Sequence, residues 1–201
     1  MIDAIVLAAG EGRRMGGLKQ LLPWKDETII ETVLLKLQRS TLDGDLKVIL
    51  GAEAEKIREV LEKNPDIKAR ILHNQNYRRG MYSSVLTGLE NISGNIDGVL
   101  FMLADQPLVS TSLYNRMLDE FRQREPLLLA PSYRGRRGHP LLMDTSLIPE
   151  VFKLGNGGEP EGGLRRLLKK RSEDVEYVEV EDRAVVIDLD NREDYERFRP
   201  D

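Results

Sequence analysis

Four glycines and three cations are packed into the ten residues Gly10 to Lys19: Gly10, Gly12, Gly16 and Gly17 with Arg13, Arg14 and Lys19. Glycine accepts positive φ and carries no side chain to hold a ligand away, so such a loop can wrap a phosphate and offer it backbone N–H groups. The guanidinium of Arg14 and the ammonium of Lys19 add charge-assisted donors suited to phosphoryl oxygens. Far along the chain, Asp105 follows the apolar run VLFMLA, and Asp188 and Asp190 alternate in VVIDLDN. A hard cation such as Mg²⁺ takes carboxylate oxygen, and a strand tip is a rigid place to hold it. A cationic glycine loop and metal-binding carboxylates together predict chemistry on a metal–polyphosphate.

Each candidate has a plainer reading. Asp105 before Gln106-Pro107 also fits an ordinary turn aspartate, and the nearby loop tips the balance toward a metal ligand. Asp190 also fits a cap for the last helix. At least one of Asp188 and Asp190 is expected to join Asp105, with the choice open. Arg13 is expected to face solvent. Asn76, Tyr77 and Arg78, with Gly80, Ser83 and Ser84, read equally well as nucleotide contacts or as a loop with a helix cap. His139, in Gly138-His139-Pro140 beside Arg136 and Arg137, fits a second anion site or an exposed turn. His73 is read as structural, Trp24 as packing, and Met81, Met102, Met117 and Met143 as core filler.

Two well-known glycine loops are excluded. A Walker A loop requires Gly-Lys followed by Ser or Thr, whereas Gly17 precedes Leu18, Lys19 and Gln20. The dinucleotide fingerprint is G-x-G-x-x-G, and here the spacing is G-x-G-x-x-x-G.

The elements that must position these residues follow from hydrophobic pattern. IDAIVLAA is short, β-branched and apolar, a strand buried on both faces. A helix over IIETVLLKLQRS follows, with Asp26 as its expected cap. Strands are expected at 45–51, 67–73 and 97–104, separated by the helices AEKIREVLEK and SSVLTGLENI, the second capped by a serine. Ser110 is expected to cap TSLYNRMLDEFRQ. Beyond it lie strands in PLLLAPSY and LLM, a helix over 146–153, a glycine-rich loop over 155–163 expected to be mobile, and the helix LRRLLKK. VEYVEVE and AVVIDLD read as closing strands and REDYERF as a closing helix. Strand–helix alternation predicts an α/β fold: a three-layer, Rossmann-like, mostly parallel sheet with the ligand at the strands' carboxyl ends.

At 201 residues the chain fits one domain, with residues 1–110 as a nucleotide-binding half and 111–201 as an acceptor-binding half. Its net charge of −4 disfavours bulk nucleic-acid binding, so an anion must be held by local basic clusters. The chain has no cysteine, which excludes disulfides, thiolate metal sites and a thiol nucleophile. The N-terminal apolar run lacks a basic flank and is too short to span a bilayer, so a cytoplasmic protein is expected.

The loop residues Leu7, Ala8, Ala9, Gly10, Gly12, Arg14, Met15, Gly16 and Lys19 resemble the L-A-(A/G)-G-x-(G/S)-x-R-M-G…K motif of sugar-nucleotide and molybdenum-cofactor nucleotidyltransferases. LAAGEGRRMGGLKQLLPW, NQNYRRGMYSSVLTGL, FMLADQPLVS, RRGHPLLM, GGLRRLL and VVIDLDNREDY, in that order, narrow the resemblance to MocA-type molybdenum cofactor cytidylyltransferases. The resemblance implies a nucleotide-diphospho-sugar transferase fold, and CMP transfer from CTP to a molybdopterin-type phosphate with Mg²⁺. It implies Ala8, Ala9 and Gly10 on the base and ribose through backbone groups, and Arg14 and Lys19 on the triphosphate; Leu7, Gly12, Asn76, Gly80 and Ser84 complete the expected nucleotide contacts. Asp105 with Asp188 or Asp190 would hold the metal. Gly138, His139, Pro140, Gly163 and Arg165 would face the acceptor, and a molybdenum hydroxylase apoenzyme is an implied partner. Rival readings keep the site but use a sugar phosphate, methylerythritol phosphate or phospholactate acceptor, or make the protein a non-catalytic nucleotide-binding chaperone.

Overall fold

The computed structural model describes residues 1–12, 17–155 and 163–200. The chain begins with β1 (Ile2–Ala8), then a short hairpin, β2 (Pro23–Trp24) and β3 (Glu27–Thr28), and α1 (Ile29–Gln38). Next come β4 (Leu46–Leu50), α2 (Ala54–Lys63), β5 (Arg70–His73), α3 (Met81–Glu90), β6 (Gly98–Leu103) and α4 (Thr111–Arg124). The later part contains β7 (Leu128–Tyr133), β8 (Arg136–Arg137), β9 (Leu141–Asp144), α5 (Ile148–Gly155), α6 (Gly163–Lys170), β10 (Val175–Glu179) and α7 (Arg192–Phe198).

The main sheet runs β10-β7-β9-β6-β1-β4-β5, with β8 paired to β7. β1 is parallel to both β4 and β6, β4 to β5, and β7 to β10. β9 is antiparallel to β6 and β7. This is the expected mostly parallel sheet, with one reversed strand wedged into it. Alternation along β1 divides the core. Ala4, Val6 and Ala8 pack with apolar residues of α1, α2 and α4, while Ile5 and Leu7 pack with those of α3, α5 and α6. The chain runs from β1 to β4 and β5 on one side, then crosses back through α3 to β6 on the other side of β1, so the order reverses at β1 and a crevice opens beyond its carboxyl end.

Three local expectations are corrected. Asp26 lies in the β2–β3 turn, and α1 is capped by Thr28, whose hydroxyl accepts from the Glu31 N–H while the Glu31 carboxylate accepts from the Thr28 N–H. This reciprocal box satisfies two otherwise unpaired amides, which a single carboxylate two residues earlier cannot do. α3 starts at Met81 with Gly80 at its cap and no side-chain cap, because the two serines are tied elsewhere. AVVIDLD is not a strand. Asp182 caps a 3-10 turn over Arg183–Val186, and Leu189 drops into a small cluster with Trp24, Ile29 and Tyr195. The apolar residues in this stretch fill separate core sites, so their pattern imitates a strand without a ladder. Ser110 caps α4 through its hydroxyl, as expected, and Asn191 caps α7, which displaces Asp190 from that role, while α2 starts after Glu53 without a side-chain cap.

Candidate functional site

Where β1 ends, the backbone carbonyls turn into the protein. The Gln20 side-chain amide donates to the carbonyls of Ala8 and Gly10, each at 3.2 Å, and the Ala52 N–H donates to that of Ala9 at 3.2 Å. With three successive carbonyls engaged, the loop is left to meet a ligand with donors, the polarity an anion requires. The glycines differ in role. Gly12 has φ +61° and an added Cβ would lie 2.3 Å from the Gly17 carbonyl oxygen, so the backbone itself demands glycine there. At Gly10 an added Cβ would meet nothing, so neither packing nor φ explains that glycine, and it leaves open space in the cleft wall.

The loop forms one wall of a cleft of about 610 Å³. Leu7, Ala8, Ala9, Gly10, Gly12 and Lys19 line it, joined by Gly80, Ser84, Asp105 and Asp190 from distant segments. Lys19, in a 3-10 turn, reaches across to the Asp105 carboxylate and lies 3.2 Å from Asp190 Oδ1. Burial alone would lower the Lys19 pKa. The charge and hydrogen bond of Asp105, followed by those of Asp190, outweigh it and raise the pKa above the usual lysine value. Burial also pushes the Asp105 carboxyl above its usual range, with Lys19 pulling it back and the Asp188 charge adding to the rise. Among the described residues Asp105 Oδ1 is buried and has no hydrogen-bond partner.

Asp188 and Asp190 part company. Asp190 lines the cleft, whereas Asp188 accepts a hydrogen bond from the buried Gln106 side chain at 2.5 Å and does not line it. Among the described residues, no three His, Cys, Asp or Glu side chains gather as a metal cluster. The carboxylates that meet are therefore two, Asp105 and Asp190.

The opposite wall comes from the turn after β5 and the start of α3. Asn74, 2% exposed, donates to the Ser83 and Ser84 hydroxyls at 2.8 and 2.9 Å and accepts from the Asn76 N–H at 2.9 Å. This tie presents the α3 N-terminus to the cleft without a side-chain cap, and an uncapped helix start favours negative charge. Asn76 does not line the cleft, whereas Tyr77, Arg78 and Met81 do. Met81 is not core filler. It is 63% exposed at the cleft, while Met102, Met117 and Met143 are fully buried.

On the expected acceptor side, Gly138 is buried, and an added Cβ there would lie 2.3 Å from the Val185 carbonyl oxygen. That same carbonyl accepts from the His139 N–H at 2.9 Å, and the His139–Pro140 peptide bond is cis. His139 is not an exposed turn residue: its Nδ1 is buried without a partner. Burial first, then the Arg137 charge, lowers its pKa to about 4, against an opposing pull from Asp105. The imidazole is thus neutral near pH 7, and any positive charge here comes from Arg137 and Arg165, both exposed. Pro140 is buried, and Gly163 opens α6. Arg14 and the 156–162 part of the glycine-rich loop lie outside the described residues. The sequence reading passed over Gln20, Gln106 and Glu11, the last a further residue of the cleft lining. Only the polar Gln20 inside the apolar KQLL turn carried a local signal.

The family model described as MobA-like NTP transferase domain matches residues 4–175. The nicotine blue oxidoreductase of Paenarthrobacter nicotinovorans is 29% identical over 98% of this chain and 96% of its own. The molybdenum cofactor cytidylyltransferase of Escherichia coli K12 is 24% identical over 96% of this chain and 93% of its own. A crystal structure of Rv0371c from Mycobacterium tuberculosis H37Rv in complex with manganese superposes with a TM-score of 0.80 at 25% identity, covering 98% of this chain and 97% of that one. Among the described residues, no helix is long and apolar enough to cross a membrane.

Proposed function

The chain belongs to the MobA-like NTP transferase family and is a nucleotidyltransferase, and from that premise we propose that it transfers CMP from CTP to a molybdopterin-type phosphate, releasing pyrophosphate. One observation carries this reading: Lys19, Asp105 and Asp190 converge with the glycine loop in a single cleft beyond the carboxyl ends of β1 and β6.

The acceptor's terminal phosphate oxygen is anionic at neutral pH and needs no general base. It attacks the α-phosphorus of CTP in line, forming the new P–O bond as the bond to pyrophosphate breaks. The protein's share is positioning and neutralisation of charge. The loop N–H groups and the α3 N-terminus receive the nucleotide. Lys19, with Arg14, stabilises charge gathering on the leaving pyrophosphate. Arg137 and Arg165 attract the acceptor phosphate, while the neutral His139, hydrogen-bonded to the Phe101 backbone, adds no charge and holds the Gly138–Pro140 turn in place. A divalent ion fits this donor set, because the buried, unpartnered Asp105 Oδ1 is an oxygen ligand without another use. Asp105 and Asp190 would hold Mg²⁺ or Mn²⁺, which supplies a Lewis acid for the phosphates.

Pyrophosphate release, measured with each of the four ribonucleoside triphosphates against molybdopterin and a panel of sugar and alcohol phosphates, tests the proposal. Fastest release with CTP and molybdopterin is expected. Turnover with another acceptor would change the substrate, and tight CTP binding without turnover would favour the chaperone reading.

A further inference from the structure

We propose that Gln106 and Asp188 form a strut that aims Asp190 at the metal, so that Asp188 is a positioning residue and not a ligand. The proposal rests on the metal-assisted reading above.

Four contacts fix the geometry. The Leu189 N–H donates to the Asp105 carbonyl at 3.0 Å, pinning the C-terminal segment to the tip of β6. Leu189 itself is fully buried against Trp24, Ile29 and Tyr195, so the segment is held from the core side as well. The Asp190 N–H donates back to the Asp188 carbonyl at 3.0 Å, closing a three-residue turn. That turn breaks the alternation that would place both carboxylates on one side of an extended strand. The Asp188 side chain is then taken by Gln106, which is 1% exposed and donates to its Oδ1 at 2.5 Å. Gln106 directly follows Asp105, so one short stretch supplies both a carboxylate in the cleft and the amide that orients the segment carrying the other. Among the described residues Gln106 Oε1 is buried without a partner and the amide makes one hydrogen bond, so Asp188 is what fixes its direction. Residues that orient metal ligands commonly shift metal affinity by about 10–100-fold when removed.

The test is Mn²⁺ binding to the nucleotide-free full chain, followed by the electron paramagnetic resonance signal of free Mn²⁺. Asp188→Ala and Gln106→Leu should each weaken binding by about tenfold or more. Asp188→Asn keeps the accepting Oδ1 and brings a donor for the unpartnered Gln106 Oε1. It should stay within about threefold of the unsubstituted protein, since only an exposed charge is lost. Thermal unfolding of each variant reports whether it is folded. If Asp188→Asn is as damaging as Asp188→Ala, Asp188 acts through its charge as a ligand and the strut is wrong. If folded Gln106→Leu binds Mn²⁺ normally, the strut is equally wrong. Asp105→Asn separates this failure from that of the underlying reading: unchanged Mn²⁺ binding in that variant would remove the metal site itself, strut or no strut.

Discussion

Strand β1 lies between two lysine–aspartate pairs, one near each end of the sheet, and they have opposite characters. At its start, Asp3 and Lys47 are both buried, with side-chain exposures of 2% and 0% and an Nζ–Oδ2 distance of 2.5 Å. Asp3 Oδ1 also accepts from the Asp45 N–H at 2.8 Å, so both carboxylate oxygens are satisfied. Beyond its carboxyl end, Lys19 meets Asp105 in the wall of a cleft, and one Asp105 oxygen is left without a partner. The same two residue types thus make a closed pair in one place and an open one in the other. A buried pair whose hydrogen bonds are complete contributes to structural integrity and has nothing to offer a ligand. An incomplete pair beside a cleft retains capacity for one.

Breaking the closed pair should have the largest effect on the molecule. Lys47→Ala leaves the Asp3 charge buried without its ammonium and should lower unfolding free energy by about 3–5 kcal/mol, measured by urea denaturation. A loss below about 1 kcal/mol would erase the distinction between the pairs. Breaking the open pair should affect chemistry instead. Lys19→Gln should reduce turnover by roughly 10²–10³-fold, as loss of a transition-state charge donor does, with a much smaller change in the urea midpoint. The same variant should bind Mn²⁺ about tenfold more tightly without nucleotide, because an ammonium no longer competes for Asp105 and Asp190. Weaker Mn²⁺ binding would show that Lys19 holds the carboxylates in place rather than occupying them.

The titration of the open pair sharpens the contrast. With its pKa raised by burial, Asp105 takes up its proton at higher pH than an ordinary aspartate as acidity increases, so metal binding and turnover should fall on the acid side at an elevated pH. His139, at about 4, contributes no limb above pH 5, so His139→Gln should leave the position of that acid limb unchanged while raising the acceptor KM. A pH–rate profile whose limb moved in this variant would transfer the titration to the histidine. The smallest effect is expected for Asp45→Ala. Its carboxylate is 3.4 Å from Lys47 Nζ but 61% exposed, and its loss should cost about 0–1 kcal/mol.

Local sequence determined a great deal. β-branched apolar runs marked β1, β4 and β6, helical periodicity marked α1 to α4, and the glycine–cation spacing located one wall of the cleft before any contact was known. These features are legible because strand pleat, helix pitch and glycine φ are properties of short stretches. Tertiary structure decided the rest. Whether Asp188 or Asp190 enters the cleft depends on a turn pinned by Asp105 and Gln106, more than eighty positions earlier in the chain. AVVIDLD has the composition of a strand, but its Val185 carbonyl is taken by the His139 amide and its Leu189 by a separate cluster. Met81 matches its buried counterparts in type and lies open at the cleft. Asp3 and Asp105 both sit beside apolar strand residues. Only the partners that folding brings to each separate an aspartate that holds the sheet together from one that can hold a ligand, because hydrogen-bond completeness belongs to the assembled interior and not to any stretch of chain.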